Sequence, residues 1–220
     1  MSAIKCHVDK RLKGGSKSNA ASFRPISILP HISKILERHV LIHLVKFLND
    51  NNLLYCKQSG FRKAHSCETA LLSLHDQWVQ SLLAKEIVGA VYLDFSKAFD
   101  MVSHTFLLEK LEIYGIRDRN LSFFRSYLEN RKQVVCIDKT FSNKTDLFAG
   151  VPQGSILGPV LFLLYINDLH LSLKSCSAEF YADDVTLHVS SSEYDSVSSK
   201  LNDELQEVSS WCNSNDMVSH

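Results

Sequence analysis

Residues 178–189 alternate apolar and polar side chains around an adjacent pair of aspartates, Asp183 and Asp184. A period of two is the mark of a half-buried strand, so this segment is expected to fold as a hairpin with both carboxylates at or near its turn. A second apolar stretch, residues 87–93 with Gly89 inside it, reads as a strand that runs directly into a third carboxylate, Asp94. Three acids held at strand and hairpin ends combine exposure with rigid support. Aspartate is also common in plain turns, but a plain turn has no need of two adjacent like charges, and a metal ion would remove their repulsion. An all-oxygen set of this kind suits Mg²⁺, which takes a few carboxylates and keeps positions for water and phosphate. Two such ions about 3.5–4 Å apart stabilise the attacking and leaving oxygens of a phosphoryl displacement.

The remaining patterns point to an α+β chain. Ile32, Ile35, Leu36, Leu44, Phe47 and Leu48 recur at helical spacing, and a second helix is expected from Ser66 as N-cap, with Ala70, Leu71, Leu74, Trp78 and Leu82 on one face. Further helices are expected from near Ser103 to Gly115, from Asp118 through Leu128, through the apolar residues that end near Leu169, and along Val197, Leu201, Leu205, Val208 and Cys212. Residues 133–137 and 147–151 read as paired strands around a polar turn. They are followed by a loop, residues 150–159, with three glycines and two prolines.

With 45% hydrophobic residues in 220, the chain can bury a sizeable core in one or two compact units. Its 24 basic and 24 acidic residues cancel, so net charge lends no support to nucleic-acid binding and any such affinity must come from local patches. The six cysteines lie far apart without metal-binding spacing and read as reduced, mostly buried thiols. No secretory signal is evident near the N-terminus, and the apolar run at 159–166 is too short to span a bilayer. An intracellular soluble protein is expected.

Five segments occur in order: Phe23-Arg24-Pro25-Ile26-Ser27, Gln58-Ser59-Gly60-Phe61-Arg62, Leu93-Asp94-Phe95-Ser96-Lys97-Ala98-Phe99-Asp100, Gly150-Val151-Pro152-Gln153-Gly154-Ser155-Ile156-Leu157-Gly158-Pro159 and Tyr181-Ala182-Asp183-Asp184. Together they closely resemble the reverse transcriptases of non-LTR (LINE-like) retrotransposons, over about residues 23–211. The resemblance implies a right-hand polymerase with fingers in residues 1–85 and an antiparallel palm sheet flanked by helices in residues 86–220. It implies RNA template, DNA primer and dNTPs as partners, with two Mg²⁺ ions, or Mn²⁺, as cofactors. Asp94, Asp183 and Asp184 become the catalytic acids, Asp94 and Asp183 the firmer metal ligands and Asp184 a ligand or a support.

The same resemblance places Phe99 beside the sugar of the incoming nucleotide, where a flat ring clashes with a 2′-hydroxyl, although Phe99 also fits an ordinary core position. Gln153 and Gly154 are implied to lie beneath the templating base and the dNTP. Arg24 and Arg62 are implied to grip its triphosphate, for which a planar guanidinium is suited, with Lys34 and Lys63 as weaker candidates. Asp100 has no role in this scheme and is expected to cap the following turn. The family continues past the region of Trp211-Cys212 into a lysine-bearing motif, a primer grip and a thumb. A chain ending at His220 is therefore expected to polymerise poorly by itself. An RNA-templated RNA polymerase and a non-catalytic RNA- or protein-binding module are the competing readings. Phe99 disfavours the first and the intact acid set disfavours the second.

Overall fold

Strands β1 (Ile4–Leu12) and β2 (Phe23–Ile28) lead into two helices, α1 (His31–Asp50) and α2 (Cys67–Leu83). The computed structural model describes residues 4–12, 23–137 and 139–219, with side chains for residues 26–136 and 139–219. Helix α2 starts where the sequence places it, because Ser66 and Thr69 form a reciprocal cap. Thr69 N–H donates to Ser66 Oγ at 3.2 Å and Ser66 N–H to Thr69 Oγ1 at 2.9 Å.

Strand β3 (Ile87–Asp94) follows, then helices α3 (Ala98–Met101), α4 (His104–Ile113) and α5 (Asp118–Leu128). Gly115, at φ 92, ends the α4 turn in the left-handed conformation expected of it. Next come β4 (Arg131–Ile137), β5 (Thr140–Phe141), β6 (Thr145–Leu147), helix α6 (Gly158–Ile166), a 3-10 helix (Asn167–Ser172), the hairpin β7 (Ser177–Tyr181) and β8 (Asp184–Ser191), and helix α7 (Tyr194–Ser214).

Two sheets result. One is antiparallel in the order β3-β8-β7; the other runs β2-β1-β4-β5 with β6 also on β4, and in it β1 lies parallel to β4. The strand expected at residues 147–151 is instead β6, which pairs Leu147 with Arg131 and ends there. The residues beyond it bond elsewhere: Gly150 N–H donates to Val102 O at 2.7 Å and Val151 N–H to Phe99 O at 2.8 Å. These two donors go to the α3 region instead of β4. Likewise, among the five cysteines whose side chains are described, Cys136 and Cys212 are buried, Cys176 is half-buried and Cys56 and Cys67 are exposed, so the expectation of mostly buried thiols fails there.

Helix α6 has no polar face, and every one of its residues except Pro159 is buried. A helix apolar all round must sit inside, and α6 forms the centre of a core that gathers Leu107, Leu111, Phe124, Leu128, Phe180, Leu187 and Trp211 from the surrounding elements. Each such side chain contributes about 1.5–3 kcal/mol on burial. Gly89 within β3 has a packing reason: a Cβ there would lie 2.4 Å from Val197 Cγ1 and 2.8 Å from Leu201 Cδ1 of α7. Among the described residues no helix is long and apolar enough to cross a membrane.

The start of α6 is capped from a distance. Glu37 on α1 is 2% exposed, and its Oε2 accepts from Ile156 N–H at 2.7 Å and Leu157 N–H at 3.2 Å. A buried carboxylate at a helix N-terminus satisfies donors that would otherwise be orphaned. Glu37→Ala is expected to lower unfolding free energy by about 3 kcal/mol in urea denaturation. A loss below about 1 kcal/mol would mean that water takes over the carboxylate's bonds.

Candidate functional site

The hairpin β7–β8 turns in two residues, Ala182 and Asp183, with Ala182 at φ 57. Asp184 opens β8 and pairs in register with both Tyr181 on β7 and Asp94 on β3. The strands therefore bring all three sequence-selected acids to one end of one sheet: Asp94 and Asp184 on directly opposed positions, Asp183 at the turn beside them. Asp94 and Asp184 are exposed and Asp183 is half-buried, while Leu93, Phe95, Ala182 and Val185 around them are buried. Core packing thus fixes a backbone that presents carboxylates to solvent. Directly opposed like charges on neighbouring strands destabilise a sheet. Among the described residues, no group of three or more His, Cys, Asp or Glu side chains is gathered closely enough to hold a metal ion.

Phe99, half-buried on α3, stacks on the core ring of Phe162 at 4.7 Å between centroids and meets Phe61 edge-on at 6.1 Å. It is thus a supported ring with a buried side, not a fully enclosed core residue. Phe61 is 59% exposed and has φ 54, a left-handed backbone uncommon for a bulky residue.

Asp100 does not cap the next turn as expected; its Oδ1 accepts from Gln153 Nε2 at 2.9 Å. The glycine-rich loop is held on its other side by β2, where Ser27 N–H donates to Gln153 O at 2.7 Å. Gly154, at φ 109, permits that approach, since a Cβ would lie 2.9 Å from Ser27 O. Gln153 and Gly154 thus bind the loop to the protein's own frame.

Burial pushes the Asp100 carboxyl above its ordinary 3.8, opposed by the Gln153 bond and by Lys97. A carboxyl whose folded pKa is raised binds its proton more tightly in the native state, so stability is lost as pH climbs from the unfolded value through the folded one. Asn in its place can still accept from Gln153 but carries no charge. Asp100→Asn is therefore expected to gain stability relative to the parent between about pH 4 and pH 7 in denaturant titrations. An identical difference at both pH values would remove the desolvation account.

Arg62 Nη1 donates to the carbonyls of Tyr55 at 3.0 Å and Gln58 at 3.1 Å, so it ties its own loop. Arg24 lies in β2 and its side chain falls outside the described residues. Lys34 is half-buried on α1 and Lys63 is exposed; neither makes an ion pair among the described residues. The sequence reading missed several polar anchors. Buried Asn167 accepts from Tyr55 N–H at 2.7 Å and donates to Leu53 O and Tyr114 Oη at 2.8 and 2.9 Å. Asp168 accepts from Lys110 Nζ at 2.7 Å and Trp211 Nε1 at 3.1 Å. The one available signal was their position, two polar residues closing an apolar helix.

A family model described as reverse transcriptase (RNA-dependent DNA polymerase) matches residues 13–219. The chain is 32% identical over 212 residues to the probable RNA-directed DNA polymerase from transposon BS of Drosophila melanogaster, a match over 90% of this chain and 23% of the relative. It is 36% identical over 177 residues to the probable RNA-directed DNA polymerase from transposon X-element of the same organism, over 78% of this chain and 19% of the relative. Among solved structures, telomerase from Candida albicans in complex with the TWJ fragment of telomeric RNA matches with a TM-score of 0.62 at 14% identity, over 100% of this chain and 41% of that one. That likeness concerns the fold. The chain spans about a fifth of the length of these curated relatives.

Proposed function

The chain belongs to the reverse transcriptase (RNA-dependent DNA polymerase) family, and on that premise we propose that it forms the fingers and palm of a non-LTR retrotransposon polymerase that copies RNA into DNA. In this reading the primer 3′-hydroxyl attacks the α-phosphate of a dNTP and pyrophosphate leaves. The observation that carries it is the register of the palm sheet, which sets Asp94 against Asp184 and leaves Asp183 at the adjoining turn.

The donor set fits divalent metal in kind: carboxylate oxygens, exposed on one side and backed by core. Asp94 and Asp183 would hold the ions, with Asp184 a third ligand or a support. Mg²⁺, or Mn²⁺ in its place, would supply charge neutralisation at the transferring phosphate. Side-chain torsions alone can redirect these carboxylates while the strand register stays fixed. In this reading Phe99 would bound the sugar site, and Arg24 and Arg62 would serve the triphosphate. Residues 1–85 act as fingers and 86–220 as palm, with β1 and β2 joining the sheet that holds β4 to β6.

Primer extension on poly(rA)/oligo(dT) with dTTP and Mg²⁺ tests this, using the chain and a chimera in which residues 13–219 replace the matched segment of the transposon BS relative. Template-dependent dTTP incorporation is the expected outcome. Incorporation of rNTPs alone would favour an RNA polymerase. RNA binding without incorporation in either protein would favour a non-catalytic module.

A further inference from the structure

The turn that carries Asp183 is gripped from outside its own hairpin. The segment before Phe61 runs parallel to β7: Gln58 bridges Phe180, Phe180 N–H donates to Lys57 O at 3.0 Å and Ser59 N–H donates to Phe180 O at 2.8 Å. At its end the Gln58 side chain, 2% exposed, points its Oε1 at two backbone donors, Gly60 N–H at 2.8 Å and Ala182 N–H at 2.9 Å. Both donors are main-chain N–H groups, so the group they meet must be the carbonyl end of the amide. Gly60 makes the approach possible, because a Cβ there would lie 2.2 Å from Ala182 N.

The gripped residue is the strained one. Ala182 holds φ 57, a conformation that a residue with a Cβ adopts only when its surroundings impose it. The hairpin imposes part of this. The rest comes from a buried acceptor that fixes where the Ala182 N–H points and, through the next peptide, where Asp183 begins. Without that acceptor, two buried N–H groups lose their partner, a cost of about 1–3 kcal/mol each that the turn can relieve by relaxing its φ.

We propose that Gln58 is a positioning residue for the acidic turn: its carboxamide oxygen sets the Ala182 backbone and thereby where Asp183 stands beside Asp94, the placement from which the two carboxylates can close on a metal ion. This rests on the metal reading above for its consequence, but not for the grip itself. Gln58 touches neither substrate nor metal and acts through Ala182.

The test uses the whole chain with Gln58→Met, which keeps length and removes the acceptor, and Gln58→Glu, which keeps an acceptor oxygen. Two quantities are read: hydrogen exchange at the Ala182 amide in EDTA, and the Mn²⁺ concentration giving half of the maximal thermal shift. Gln58→Met is expected to speed Ala182 exchange at least about tenfold and to raise the half-saturating Mn²⁺ about tenfold, the scale seen when a group orienting a metal ligand is lost. Gln58→Glu is expected to restore slow exchange and to return half-saturation to the parent value or below. A merely structural Gln58 would lower the melting temperature in EDTA and leave both quantities unchanged, which overturns the proposal. If the parent chain shows no response to Mn²⁺, the metal reading falls, and the exchange rate at Ala182 alone decides whether Gln58 holds the turn.

Discussion

Asp183→Asn is expected to abolish both metal-dependent stabilisation and nucleotide transfer while leaving the fold intact. On the proposed reading, ions bind only the assembled acids of the parent chain and would stabilise the native state by mass action. At ten times the dissociation constant the gain is about 1.4 kcal/mol, which for a chain of this size raises the melting temperature by about 3–6 °C. Asparagine keeps the volume and a neutral carbonyl oxygen but not the charge. The shift with millimolar Mg²⁺ or Mn²⁺ should then fall below about 1 °C. Primer extension should fall by about 10³-fold or more, as expected when several kcal/mol of charge stabilisation is lost from the transition state. In EDTA the variant should melt no lower than the parent, because one of three like charges at one end of the sheet is gone. A clear metal shift that survives in Asp183→Asn would move the site elsewhere. No shift in either protein would remove it.

The parts of this site that could be read from sequence are those where chemistry and periodicity coincide. The acids stood out because charged residues interrupt apolar strands, and strand period alone put Asp183 and Asp184 at a turn. The register that sets Asp94 against Asp184 is a long-range fact, fixed by which face of β3 and β8 meets the core. Short elements were missed for the same reason: α3 spans four residues and has no periodicity to show. The misplaced strand at 147–151 is instructive, since Gly150 and Val151 gave their donors to Val102 and Phe99, over 45 residues earlier in the chain. Gln58 and Glu37 carry no sequence signal as anchors, and Asn167 shows only its place at the end of an apolar helix. A polar side chain becomes an anchor only when folding buries it beside orphaned backbone groups, and the identity of those groups is set by tertiary packing.

Phe99→Val is expected to relax the choice of sugar. Phe99 lies five residues beyond Asp94, and its ring stacks on Phe162 and meets Phe61 edge-on, so it cannot swing aside without losing its stack. On the proposed reading a ring fixed in this way would be a wall against a 2′-hydroxyl, which valine would retract while leaving the carboxylates untouched. The ratio of kcat/KM for rNTP over dNTP should rise by about 10–100-fold, the range that a pocket change of this size supports. Phe99→Tyr should leave the ratio near the parent value because the wall remains. Some stability should be lost as well, about 1–2 kcal/mol for a half-buried ring cut to a smaller apolar group. The ratio is insensitive to that loss because both substrates meet the same folded population. Asp100 bears on the alternative: an RNA polymerase reading needs a nearby carboxylate to accept the 2′-hydroxyl, and this one is already bound to Gln153 Nε2. If Phe99→Val leaves the ratio unchanged while Asp100→Asn alters it, sugar selection lies with the carboxylate, and Phe99 is a core residue.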